Sequence, residues 1–97
     1  MTMIEFEWDP GKNRRNKNKH GISFEEASTA FYDPRARINT DPDHSADEDR
    51  FLLLGLSANL KLLVVCHCYR KNDQLIRIYS ARKANKLEAT QYKEFLP

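Results

Sequence analysis

The chain has 97 residues, of which 40% are hydrophobic and 31% charged, and a formal net charge of +2. That length holds one domain, spanning 1–97, with a modest core and no room for a second. The longest apolar stretch, Leu62 to Cys66, is far too short to cross a bilayer, and "MTMIEFEWDP" is acidic where a secretory signal would be basic and then apolar. A cytoplasmic protein with reduced thiols and no membrane partner is expected.

Ile4, Phe6 and Trp8 alternate with Glu5 and Glu7, the pattern of a short strand with one apolar face. In "WDPGK", Asp9 can cap the free amides of a helix, Pro10 suits its first position, and Gly21 suits the left-handed residue beyond its end. From Gly11 to His20 there is no large apolar residue, so this helix is expected to be mostly exposed and marginally stable. Ser23 and Glu26 form a capping box, and Phe24, Ala27, Ala30 and Phe31 follow at helical spacing, which gives a second helix packed on the core. Asp33-Pro34 ends it, "RARINT" reads as a short edge strand, and the acidic stretch 41–50 reads as a loop.

Three strand-like runs follow, "RFLLLGLS" (50–57), "LKLLVVCHCY" (60–69) and "QLIRIYS" (74–80), joined by turns short enough for an antiparallel meander. After Ser80, which can act as a cap, "ARKANKLEATQYKEFL" reads as a closing helix with Ala84, Leu87, Gln91 or Tyr92, and Phe95 on one face. The fold class is α+β: a mostly antiparallel sheet with two amino-terminal helices and a carboxy-terminal helix packed on it.

Charge is separated along the chain. "GKNRRNKNKH" (11–20) carries five Lys or Arg and no acid, whereas "DPDHSADEDR" (41–50) carries five acids and one Arg. Either these are solvated faces of opposite sign, or a polyanion meets the basic regions while the acidic loop is held away from it.

The two cysteines flank a histidine in "VVCHCYR" (64–70). Strand alternation puts Cys66 and Cys68 on one face with Leu62 and Val64, and His67 on the other with Leu63, Val65 and Tyr69, so the three cannot converge on one metal. Two thiolates alone fall short of the four ligands zinc takes, and no metal or other cofactor is expected. The cysteines read as packing. His67 has two readings, a hydrogen-bonded core residue or a general acid or base near neutral pH.

In "LIRIYSAR" (75–82), Leu75, Arg77 and Tyr79 share a face, and Ile76, Ile78 and Ser80 the other. An arginine between isoleucines is costly to bury, so Arg77 points to a cleft or a partner. Arg82 would lie in the first turn of the closing helix, where the helix dipole already favours an anion, and Lys83 and Lys86 follow. A bound anion held by Arg77 and Arg82 is one reading; a solvated basic helix start is the other. If the anion is an RNA phosphodiester, cleavage without metal needs a base for the 2′-hydroxyl, an acid for the leaving 5′-oxygen, and cations for the phosphorane. The arginines supply the last, His67 suits acid or base, and Tyr92 or a lysine could assist.

The stretch "FEWDPGKNRRNKNKHGISFEEA" (6–27) resembles the opening of the BrnT family of bacterial type II toxins, with its F-x-W-D-P-x-K and K-H-G-[VI]-S-F-E-E-A. "DPDHSADEDRFLLLG", "LLVVCHCY" and "IRIYSARKA" are similar to the family's later motifs, so the resemblance runs from Ile4 to about Tyr92. It implies a RelE-like fold and a ribonuclease that arrests growth by cutting RNA, and with the cation chemistry above the leading reading is a metal-independent endoribonuclease. The resemblance also implies a cognate BrnA-type antitoxin, whose ribbon-helix-helix portion binds promoter DNA, in a possible dimeric toxin–antitoxin assembly that reaches DNA only through the antitoxin. On that basis His67, Arg77, Arg82 and Tyr92 are the catalytic candidates, and Lys12, Lys19, His20 and Lys83 the RNA-binding ones. The rival from another class is a non-catalytic basic binding module within a DNA-binding repressor complex, which would bind nucleic acid with a steep salt dependence and cut nothing.

Overall fold

A computed structural model describes residues 4–43 and 49–94. The elements in chain order are β1 (Glu5–Glu7), α1 (Pro10–His20), α2 (Phe24–Thr29), a 3-10 turn (Ala30–Tyr32), β2 (Arg37–Thr40), β3 (Phe51–Leu56), β4 (Leu62–Arg70), β5 (Leu75–Lys83) and α3 (Lys86–Glu94). The sheet order is β1-β5-β4-β3-β2. Its pairings are antiparallel except β1 with β5, and the meander keeps its sequence order in space. The α+β class therefore holds, with β2 at an edge as its sequence suggested. Of the acidic stretch, 44–48, with His44, lies outside the described residues, as does Phe95. No helix among the described residues is long and apolar enough to cross a membrane.

The helices form as their caps dictate. Asp9 Oδ2 accepts from the Lys12 amide at 2.9 Å, and Gly21 ends α1 at φ 75°, where a Cβ would be strained. Ser23 Oγ accepts from the Glu26 amide at 3.0 Å and opens α2. Ile22, Phe24, Ala27 and Ala30 then pack on Leu53, Leu63, Val65, Ile76, Ile78 and Ala81, one face of the sheet. The opposite face carries a smaller cluster, Leu54, Val64 and Tyr92, beneath α3. Gly55 lets the 3-10 turn approach β3: a Cβ there would lie 3.0 Å from the Ala30 carbonyl oxygen and 2.9 Å from Leu53 Cδ2.

Helix α1 is mostly exposed, as its sequence suggested, and polar groups anchor it in place of an apolar face. Asn16, 7% exposed, is its one buried residue. Its amide nitrogen donates to the carbonyls of Ala81 and Ile22, both at 2.8 Å, and its oxygen accepts from the Ala81 amide at 3.1 Å. Strand β1 pairs with β5 only as far as Arg77. Beyond that, the Asn16 carboxamide meets both polar groups of Ala81, as a neighbouring strand would. Asn13 adds a second tie, accepting from the Phe24 amide at 2.8 Å and donating to Glu25.

The closing helix starts later than expected. Ala81, Arg82 and Lys83 pair with Val65, Val64 and Leu63, so they extend β5. Asn85 is the cap: its Oδ1 accepts from the Glu88 amide at 2.8 Å while Glu88 Oε1 accepts from the Asn85 amide at 2.9 Å, a reciprocal capping box. Ser80 is exposed and caps nothing here, and Leu87 stays 67% exposed.

Candidate functional site

The face of the sheet opposite α2 is covered by α3 at the Leu54 and Val64 end. At the other end a β-bulge re-aims β5. Cys66 pairs with Ser80 and His67 with Ile78, which leaves Tyr79 as the extra residue. Beyond the bulge the alternation changes phase: Ala81, not Ser80, fills the core, and Tyr79 stays on the face of Arg77.

Tyr79 is the centre of a cationic cluster. Arg50 Cζ lies 3.9 Å from its ring centroid, Lys12 Nζ 5.3 Å and Arg77 Cζ 6.0 Å. Its hydroxyl oxygen accepts from Arg70 Nη2 at 3.2 Å and is 3.2 Å from Cys68 Sγ. Arg77, whose side chain is 29% exposed, donates from Nη1 to Glu7 Oε2 on β1, its partner in register. Alongside, an open groove of about 400 Å³ between α1 and β5 is lined by Lys12, Arg15, Asn16, Lys19, His20, Tyr79 and Ser80. Lys12, Asn16, Lys19 and His20 share one helical face because they stand at i, i+4, i+7 and i+8, so the asparagine that docks the helix also aims its bases at β5.

Of the residues expected from sequence, the structure brings Lys12 and Arg77 to the Tyr79 ring, and Lys19 and His20 to the groove beside it. It does not bring His67 to them. His67 pairs in register with Ile78, on the core face, whereas Arg77 pairs with Cys68 on the other. It is 0% exposed and ringed by Phe31, Phe51 and Tyr69. Nδ1 lies 3.0 Å from the Val65 carbonyl, which can only accept, so Nε2 is left to accept from the Tyr69 hydroxyl at 3.3 Å: both nitrogens are used by a neutral ring. Burial pushes its pKa down, against the opposing pull of the Val65 carbonyl. Of the two readings of His67, the structure supports the hydrogen-bonded core residue and not the general acid or base.

Arg82 and Tyr92 sit at the α3 end. Arg82 makes a two-pronged bond to Glu88, 2.8 Å at each oxygen, which raises the arginine's pKa through the Glu88 hydrogen bond and lowers that of the carboxyl through the Arg82 one. It lies on a strand, so the helix-dipole argument made for it does not apply. Lys83 is exposed beside it at the end of β5. Tyr92, 8% exposed, donates to Asp33 Oδ2 at 2.7 Å. Burial and that carboxylate push the phenol up to about 12. Burial would raise Asp33 in turn, but bonds from Tyr92 and from the Leu56 and Arg35 amides outweigh it and hold the carboxyl below its usual range.

Tyr92→Phe should therefore cost about 1 kcal/mol at neutral pH. A carboxyl lowered by folding adds stability above its unfolded pKa, roughly 4, and loses it as pH falls through the folded value. Urea melts should show the cost shrinking in acid while RNA cleavage is retained. A cost equal at pH 7 and pH 3, or lost cleavage, would count against this structural role.

The sequence put Tyr79 on the face of Arg77 but gave it no catalytic role, and it gave no role to Glu7 or Arg50. Glu7 had a signal, since it alternates with Phe6 and Trp8 away from the core. Arg50 had none, because its aim depends on how β3 begins. Cys66, 3.6 Å from Asp41 Oδ2, is pushed up to about 11 by burial and that carboxylate, which suits packing and not nucleophilic chemistry.

The family model described as "Ribonuclease toxin, BrnT, of type II toxin-antitoxin system" matches residues 8–88. The chain belongs to the BrnT family. It is accordingly a ribonuclease toxin of a type II toxin–antitoxin system, which implies an antitoxin partner. The 1.1 Å crystal structure of the Brucella abortus ribonuclease toxin, BrnT, superposes with a TM-score of 0.66 over 87% of this chain and 100% of that one. The two are 21% identical, so this likeness speaks for the fold. No curated protein matches this BrnT-family chain significantly.

Proposed function

We propose that this BrnT-family toxin is a metal-independent endoribonuclease acting by 2′-hydroxyl attack on the phosphodiester, and that its activity arrests growth. The observation that carries the reading is the convergence of Lys12, Arg50 and Arg77 on Tyr79 beside the α1–β5 groove. Fixed guanidinium and ammonium groups can stabilise a phosphorane without a metal ion. Lys12, Lys19 and His20 hold the incoming strand, and Arg82 and Lys83 extend the basic strip toward α3. The antitoxin is of the BrnA type, with a ribbon-helix-helix portion that carries the complex to promoter DNA, and the site of action is the cytoplasm.

The purified toxin should cut RNA into discrete fragments in the presence of EDTA, and added antitoxin should stop it. Intact RNA would sink the reading, and activity lost with the chelator and restored by a divalent ion would remove the metal independence.

A further inference from the structure

The cations account for phosphate binding and charge, yet they leave the two proton transfers unassigned once His67 is in the core. Two groups flank Arg77 on the site face. Glu7 accepts its Nη1 from one side, and the Tyr79 ring lies 6.0 Å from its Cζ on the other. We propose that Glu7 is the general base and Tyr79 the general acid of the cleavage step, an assignment that rests on the ribonuclease reading above.

The chemistry suits these types in this order. A carboxylate enters a reaction able only to accept a proton, and a phenol carries one to give. Glu7, held on Arg77, takes the 2′-hydroxyl proton of a ribose whose phosphate lies on the guanidinium. The 2′-oxygen bonds to phosphorus, the bond from phosphorus to the 5′-oxygen breaks, and Tyr79 gives its proton to that oxygen. The products are a 2′,3′-cyclic phosphate and a 5′-hydroxyl end, with Glu7 protonated and Tyr79 a phenolate until water exchanges both.

Cationic side chains surround Tyr79, the group on which this step leaves a negative charge. Arg70 already donates to its oxygen at 3.2 Å, and Arg50 and Lys12 lie over the ring. Alternation along β5 keeps Tyr79 on the face of Arg77, and as the extra residue at the bulge it has no direct partner on β4.

The test uses an RNA oligonucleotide that the wild type cuts, and the same oligonucleotide with sulfur in place of the bridging 5′-oxygen at the cut site. A thiolate leaves without being protonated, so a missing general acid no longer matters. Tyr79→Phe should cut the oxygen substrate about 100-fold more slowly and the sulfur substrate at close to the wild-type rate. Glu7→Gln should lose about 100-fold on both, while binding the uncleavable 2′-deoxy analogue no more weakly than the wild type does. Equal slowing of Tyr79→Phe on both substrates would reduce Tyr79 to a binding or packing residue and overturn its assignment, as would a fully active Tyr79→Phe. Wild-type rates in Glu7→Gln, or weakened binding of the analogue, would overturn the base. If the wild type itself cuts no RNA, the ribonuclease reading fails and this proposal with it.

Discussion

Arg77→Ala should lower the rate of RNA cleavage about 1,000-fold while moving the melting temperature by only a few degrees. The first half follows from position. Arg77 is bonded to Glu7 on β1 and lies 6.0 Å from the ring centroid of Tyr79 on its own strand. Removing a fixed donor from a developing oxyanion typically costs 100- to 1,000-fold, and here the same guanidinium also orients Glu7. The second half follows from exposure. With side chains 29% and 36% exposed, the Arg77–Glu7 pair is screened by water and contributes about 0–1 kcal/mol to folding. Single-turnover cleavage and a thermal melt on the same preparation separate the two. A variant that loses activity only because it unfolds, or one that still cuts at the wild-type rate, would remove Arg77 from the centre of the site.

Asn16→Ala should be the most destabilising single change of a polar residue in α1, at about 3 kcal/mol and a melting temperature lower by about 15 °C. Three buried bonds are lost together, and the Ala81 amide and carbonyl and the Ile22 carbonyl are left facing a helix that no longer answers them. Asn16→Asp should be no better, because a carboxylate can accept from the Ala81 amide but cannot donate to either carbonyl, and it brings a charge into a buried place. Activity should fall with stability, since the same residue keeps Lys12, Lys19 and His20 beside β5. A melting temperature within about 3 °C of wild type would show that water replaces the asparagine at little cost.

These expectations also mark where sequence reading stopped. The elements were legible because each rests on local chemistry: Asp9 and Pro10 for the start of α1, Gly21 for its end, Ser23 and Glu26 for α2, and period-two alternation for the meander. The end of β5 was read as helix because Ala81 to Lys83 has no local feature forbidding one. What keeps it extended is its pairing with Leu63 to Val65, residues distant in sequence. Arg82 was assigned to the wrong kind of element for that reason.

For the site, the residue types were visible but their grouping was not. Alternation within β4 separated His67 from Cys66 and Cys68, and alternation within β5 put Arg77 with Tyr79, because side-chain period is a property of one strand. Which face of β4 matches which face of β5 is a property of register, and the bulge at Tyr79 altered it. Tyr92 looked free to act because nothing in its own helix shows that Asp33, far upstream, accepts its hydroxyl. Likewise Asn16 looked like one more polar residue of a polar helix, since its partners on Ala81 are 65 positions away. The sequence by itself determined the α+β class, the helix ends, the strand faces and, through its motifs, the toxin family. Only the tertiary structure decided that His67 is core, that Asn16 completes a strand edge, and that Glu7 and Tyr79 flank Arg77. Each of those depends on a contact between strands or between a helix and a strand edge, and local periodicity carries no information about such contacts.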